Sequence, residues 1–199
     1  MVPYQTMPLQ PWREPFDDRA WAFELKYDGF RALAFVDRAS VHLISRTGHR
    51  YRQFDPLAMA LRCELRCTTA VLDGELAALD DHGRPDFYGL LYRRRSPIFV
   101  AFDVLEVDGC DVRSETLLMR KRRLRKVVPS RATSVLRLDD PVIGEGRALY
   151  DLVCAQDLEG VVAKRLEAPY RLAEPLAWRK IKNPTYSQGI GRWQHFARR

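Results

Sequence analysis

The sequence is poor in several residue types and patterns, and each shortage excludes something. It has four cysteines (Cys63, Cys67, Cys110 and Cys154), too few and too scattered for a disulfide framework. Cys63 and Cys67 stand one helical turn apart, with no second pair or histidine cluster to complete a zinc site. All four read as reduced thiols, and the compartment as the cytoplasm. The histidines (His42, His49, His82 and His195) are equally scattered, and none is spaced as a metal ligand. No apolar run reaches the roughly 18–20 residues of a membrane span, and the start lacks the basic-then-apolar pattern of a signal peptide. No membrane partner is therefore expected. Neither G-x-G-x-x-G nor G-x-x-x-x-G-K-[ST] occurs, so a nucleotide enzyme built on this chain must hold phosphates with side chains. Lysine itself is scarce. Of 33 basic residues, six are lysine (Lys26, Lys121, Lys126, Lys164, Lys180 and Lys182) and 27 are arginine. Codon preference accounts for the arginine excess. The positions that stay lysine mark places where an amine able to lose its proton is useful, because a guanidinium cannot do so.

What is present suits one compact domain. The chain has 199 residues, of which 46% are hydrophobic and 30% charged, a balance that supports a packed core. The net charge of +7 favours polyanionic partners. Trp21 to Asp28 alternates, with Trp21, Phe23, Leu25 and Tyr27 on one face and Ala22, Glu24, Lys26 and Asp28 on the other, which predicts a half-buried strand. Strands are also expected over 31–37, 41–46, 69–73, 75–79, 98–106, 133–138, 160–165 and 178–181. Helices are expected from Asp55 as N-cap with Pro56 behind it, around 87–92, from Ser114 through Val128, and over 144–158. In the third, Leu117, Leu124 and Val128 share one side, and the Arg120 to Lys126 charge run, like Arg93-Arg94-Arg95, reads either as a solvated face or as a phosphate-contacting patch. Many strands joined by hairpin-like turns, with a few helices between them, argue for α+β with antiparallel sheets.

The lysines supply the functional pattern. Lys26 ends a strand, two residues from Glu24 and two from Asp28; it is either a salt-bridged surface lysine or a nucleophile freed by burial or nearby cations. Trp178, Lys180 and Lys182 share a strand face, and two such lysines repel each other unless an anion lies between them. Lys164 ends a strand that follows Glu159-Gly160. Strict alternation puts Glu159 and Lys164 on opposite faces, so both meet one ligand only if the chain bends at the glycine. Asp73-Gly74-Glu75 adds carboxylates of the kind that hold a ribose or Mg²⁺ beside phosphates.

In order, these elements resemble the covalent nucleotidyltransferases, and specifically the adenylation domain of ATP-dependent DNA ligases. The matching segments are Lys26-Tyr27-Asp28-Gly29-Phe30-Arg31, Ser45-Arg46-Thr47-Gly48, Asp73-Gly74-Glu75, the aromatic run Val100 to Leu105, Glu159 to Lys164, and Trp178 to Lys182. Asn183 to Gln188 is similar to the segment that follows in bacterial end-joining ligases. The resemblance implies an ATP-grasp-like adenylation fold, two mainly antiparallel β-sheets flanked by helices. Lys26 would be the catalytic residue, attacking the α-phosphate of ATP to form a lysyl-AMP. Glu24 and Phe102 would contact the adenine, Arg31 and Glu75 the ribose, and Arg46 the AMP or the 5′-phosphate of a nick. Lys164, Lys180 and Lys182 would neutralise phosphate, and Glu159 with Asp28 would hold Mg²⁺. The implied partner is nicked double-stranded DNA, sealed by a monomer during repair. Only 17 residues follow Lys182, too few for an OB barrel. The domain expectation is therefore one adenylation domain over 1–199, without an OB-fold domain or an N-terminal DNA-binding domain, with an OB-domain or end-joining protein as a further partner. A non-catalytic or partner-dependent module that binds AMP or nicks, and an RNA ligase or capping-type enzyme, are the alternatives.

Overall fold

The computed structural model describes residues 4–189; His195 and the rest of the basic, aromatic end lie outside them. Two sheets form the framework. The first has the order β1 (Gln10–Trp12), β11 (Trp178–Lys182), β10 (Gly160–Arg165), β2 (Asp18–Leu25), β9 (Val142–Gly144). All its pairings are antiparallel except β1 with β11. The second runs β4 (Val41–Ser45), β3 (Phe30–Val36), β5 (Ala70–Ala78), β6 (Pro97–Val107), β7 (Cys110–Asp111), with β8 (Leu136–Leu138) parallel to β6. The α+β expectation with two mainly antiparallel sheets holds. Among the described residues four α-helices complete it: α1 (Asp55–Glu64), α2 (Phe87–Leu91), α3 (Leu117–Val127) and α4 (Gly146–Ala155).

Strand periodicity sorts the side chains into three layers. Ala32, Ala34, Leu43, Leu72 and Val104 meet Leu57, Leu61 and Leu124 of α1 and α3. Leu33, Val71 and Leu105 face the other way and pack with Trp178, Tyr170 and Met7 between the two sheets. Trp21, Phe23, Val161 and Ala163 cover the outer side of the first sheet under α4. The strand around Trp21 is therefore buried on both faces, not half-buried: α4 covers one side and the inter-sheet layer the other.

Several boundaries differ from those expected, each for a packing reason. The two strands expected around Gly74 are one continuous strand, β5. A Cβ at Gly74 would lie 2.3 Å from the Phe99 ring, so the glycine admits a ring from β6 rather than making a turn. Asp55 is the first residue of α1, and the N-cap position falls to Phe54, whose side chain makes no capping bond. Helix α3 is capped by Thr116, whose hydroxyl accepts from the Met119 amide at 3.3 Å, rather than by Ser114. Helix α4 starts at Gly146 because Val142–Gly144 is spent pairing with β2. The short strands β1, β7 and β9 carry too few residues for alternation to register.

Candidate functional site

The inter-sheet layer opens into a cleft with about 50 Å³ of free space. Register builds its walls. Glu24 of β2 pairs across from Val162 of β10, and Val162 from Lys180 of β11. Lys164 lies opposite Trp178, and in the second sheet Arg31 lies opposite Glu75. Cross-strand partners share a face, so one inward row carries base, acid and aromatic groups together. Lys26 follows directly on β2, and its amide donates to the Gly160 carbonyl at 2.9 Å. Of the expected residues, Lys26, Glu24, Arg31, Glu75, Phe102 and Lys164 all line this cleft.

The Lys26 ammonium donates to Glu159 at 2.6 Å. Lys182 approaches the other oxygen of Glu159 at 3.6 Å, so the anion expected between lysines is in part a side chain of this chain. The bend expected at Gly160 exists: its φ is +152°, and a Cβ there would lie 2.2 Å from the Ile181 carbonyl oxygen. That close approach of β10 to β11 lets Glu159 meet Lys26 while Lys164 enters the cleft. Burial, then the charges of Lys182 and Lys26, lower the pKa of Lys180, and register sets it opposite Val162, which lines the cleft. Arg46 lies in the turn after β4 and lines an adjoining cavity with Gln5, Thr6 and Leu33. Asp28 does not line the cleft; it is buried and accepts from the Tyr186 hydroxyl at 2.9 Å. Glu159 and Glu75 both face Lys26.

Arg31 is more committed than expected. Its Nε and one terminal nitrogen donate to the two Asp73 oxygens at 3.0 and 2.6 Å, and the other donates to the Met7 carbonyl at 2.8 Å. Asp73 also accepts from Tyr170 at 2.6 Å, whose oxygen accepts from the Met7 amide at 2.9 Å. The guanidinium is thus fixed within 5.3 Å of both the Phe102 and Trp178 ring centres. Glu75, nearby, has its carboxyl pushed up to about 8 by burial, against the pull of Lys26 and Arg31.

The largest correction concerns the Arg120 to Lys126 run. Arg120 and Asp103 are both fully buried and form a two-pronged pair at 2.9 Å on each prong. Lys121 is 3% exposed; it reaches Glu24 at 2.6 Å and donates to the Asp139 carbonyl at 2.9 Å. Lys164 holds the other Glu24 oxygen at 2.5 Å and lies 4.2 and 4.0 Å from the Phe102 and Trp178 ring centres. Burial lowers the pKa of Lys164, while Glu24 opposes that shift. Lys121 and Asp139 are thus parts of the site that the sequence reading left out. A signal for Lys121 was present: it follows Leu117 by four and precedes Leu124 by three, which is the apolar stripe of α3. Nothing comparable marked Asp139, which sits just after a three-residue strand.

Among the described residues, no group of three or more His, Cys, Asp or Glu side chains is arranged to hold a metal ion, and no helix is long and apolar enough to cross a membrane. Residues 12–182 match the family model described as the ATP dependent DNA ligase domain. The chain is 34% identical over 167 residues to the multifunctional non-homologous end joining protein LigD of Pseudomonas aeruginosa, covering 81% of this chain and 20% of that protein. It is 34% identical over 178 residues to the multifunctional non-homologous end joining DNA repair protein LigD of Mycobacterium tuberculosis, covering 87% and 23%. The chain therefore spans about a fifth of the length of these curated relatives. Among solved structures, a mycobacterial DNA ligase D complexed with ATP and MES superposes with a TM-score of 0.70 at 29% identity, covering 89% of this chain and 60% of that one.

Proposed function

The chain belongs to the ATP dependent DNA ligase domain family, and on that premise we propose that it is an ATP-dependent DNA ligase-type adenylyltransferase that seals nicks in duplex DNA during repair. The observation that carries the reading is the convergence of Lys26, Glu159, Glu24, Lys164, Arg31, Glu75 and Phe102 on one cleft and its rim. Such a constellation suits phosphoryl chemistry, where the protein supplies positioning and charge rather than covalent complexity.

Lys26 is the nucleophile. Its ammonium is held by Glu159 at 2.6 Å, within reach for proton transfer to that carboxylate as the amine approaches phosphorus. The nitrogen–phosphorus bond forms, the bond from the α-phosphorus to the bridging oxygen breaks, and pyrophosphate leaves with the electron pair. Lys180 and Lys182, on the same strand face at the rim, offset the phosphate charge. Mg²⁺ takes one or two carboxylates plus substrate phosphate oxygens, a donor set that Glu159 and Glu75 fit; when bound, the ion would screen the phosphates against the attacking amine. Glu24 faces the base and Phe102 offers it a ring. Lys164 lies 4.2 and 4.0 Å from the Phe102 and Trp178 ring centres, so a base stacking on Phe102 shifts the Lys164 side chain off the aromatic pair. A 5′-phosphate of DNA then takes the AMP from Lys26, and the adjacent 3′-hydroxyl displaces AMP to close the backbone. Arg46 and the exposed Arg93 and Arg94 provide phosphate contacts along the DNA.

Incubation with α-labelled ATP and Mg²⁺ is expected to place label on Lys26, with none on the Lys26→Ala variant. Pre-adenylylated nicked DNA is expected to be sealed by the wild type. Absence of both the protein adduct and the sealing would overturn the enzymatic reading, and preferential labelling by GTP would point to a capping-type enzyme.

A further inference from the structure

Behind Glu24 the cleft wall holds a second carboxyl that the adenylation chemistry leaves without a task. Asp139 lines the same cleft as Glu24 and Lys164. It is 5% exposed, and its Oδ2 is buried with no hydrogen-bond partner among the described residues. Leaving a buried acceptor unsatisfied is costly, so a group retained there has a partner to gain. Both Glu24 oxygens are already engaged, one by Lys121 at 2.6 Å and one by Lys164 at 2.5 Å. Lys121, which also donates to the Asp139 backbone carbonyl, ties the Asp139 main chain to Glu24.

Resting on the nucleotide reading above, we propose that Asp139 is a second reader of the adenine 6-amino group, accepting one amino hydrogen while Glu24 accepts the other. An exocyclic amine carries two hydrogens diverging in the ring plane, and two adjacent acceptors are the complement of that pair. Burial, followed by the charge of Glu24, raises the Asp139 carboxyl well above the ordinary range, with Lys121 and Lys164 opposing. A hydrogen bond between the Asp139 and Glu24 carboxyls adds to that rise. A 6-oxo purine would set its own lone pairs against those acceptors, which gives the pocket a reason to prefer adenine over guanine.

The test uses Mg²⁺-free equilibrium binding of ATP, N6-methyl-ATP and purine riboside triphosphate, which lacks the amino group. Wild type is expected to bind N6-methyl-ATP at least about tenfold more weakly than ATP, because a monomethyl amine has only one hydrogen for two acceptors. If N6-methyl-ATP binds within about threefold of ATP, only one hydrogen is read and the proposal fails. In Asp139→Ala the preference for ATP over the deamino analogue is expected to shrink about tenfold. Asp139→Asn should retain it, since its amide donates to Glu24 and keeps a carbonyl oxygen toward the base. Equal weakening of all three nucleotides in Asp139→Ala, or an unchanged preference, overturns the assignment. Should Asp139→Ala fail to fold, the wild-type methyl series decides by itself. No binding of ATP by the wild type would instead overturn the nucleotide reading, a different result from ATP binding that tolerates the methyl group.

Discussion

Lys121→Met separates a buried functional lysine from the charge run it sits in. Lys121 is 3% exposed, holds Glu24 at 2.6 Å and donates to the Asp139 carbonyl at 2.9 Å. Breaking a buried ion pair by removing one partner costs about 3–5 kcal/mol, because the other charge is left uncompensated. Here Glu24 keeps Lys164 at 2.5 Å, and Met fills much of the lysine volume, which places the loss near the lower end, about 3 kcal/mol. With a urea slope of about 2–3 kcal/mol/M, the unfolding midpoint should fall by about 1–1.5 M at unchanged slope. Lys126→Met, five residues further along the same helix and exposed, is the control and should move stability by no more than about 0.5 kcal/mol. Nucleotide affinity should fall in Lys121→Met alone, since Glu24 loses its fixed orientation. Equal urea midpoints for the two variants would refute both the buried placement and the argument built on it.

Glu75→Gln should change the pH dependence of stability. The Glu75 carboxyl is raised from 4.5 to about 8, so the folded state prefers the proton and stability attached to that group is lost as pH rises through 8. Melting temperatures of Glu75→Gln relative to wild type should therefore climb between about pH 5 and 8.5; a flat or falling difference would contradict the buried environment. Gly160→Ala would press a methyl carbon to 2.2 Å from the Ile181 carbonyl oxygen at a φ of +152°. It should cost at least about 2 kcal/mol in urea unfolding and weaken ATP binding, and a variant within about 0.5 kcal/mol of wild type would count against that backbone approach. Asp103→Ala strands the fully buried Arg120 guanidinium and should destabilise by about 3–5 kcal/mol, again by urea unfolding.

The sequence by itself determined the local alphabet of this protein. Alternation set which side chains of β2, β10 and β11 share a face, so Glu24 and Lys26, and Trp178, Lys180 and Lys182, could be grouped before any fold was known. Glycine chemistry marked the bend at Gly160, and the order of short motifs carried the resemblance to the ligase adenylation domain. Those are properties of neighbours along the chain, and a strand or a turn needs little else. What only the tertiary structure decided is which of those groups meet. Asp28 and Lys26 share a motif, yet one is buried against Tyr186 and the other turns to Glu159. The Arg120 to Lys126 run looked solvated because charge usually seeks water. Two of its members are instead drawn inward by Asp103 and Glu24, acids on strands outside the helix. Burying a cation is favourable only when a fixed anion waits for it, and the position of that anion is a fact of sheet register and helix packing. Asp139 shows the same limit from the acidic side: one residue past a short strand, it owes its place in the cleft to the packing of α3 and β2 around it.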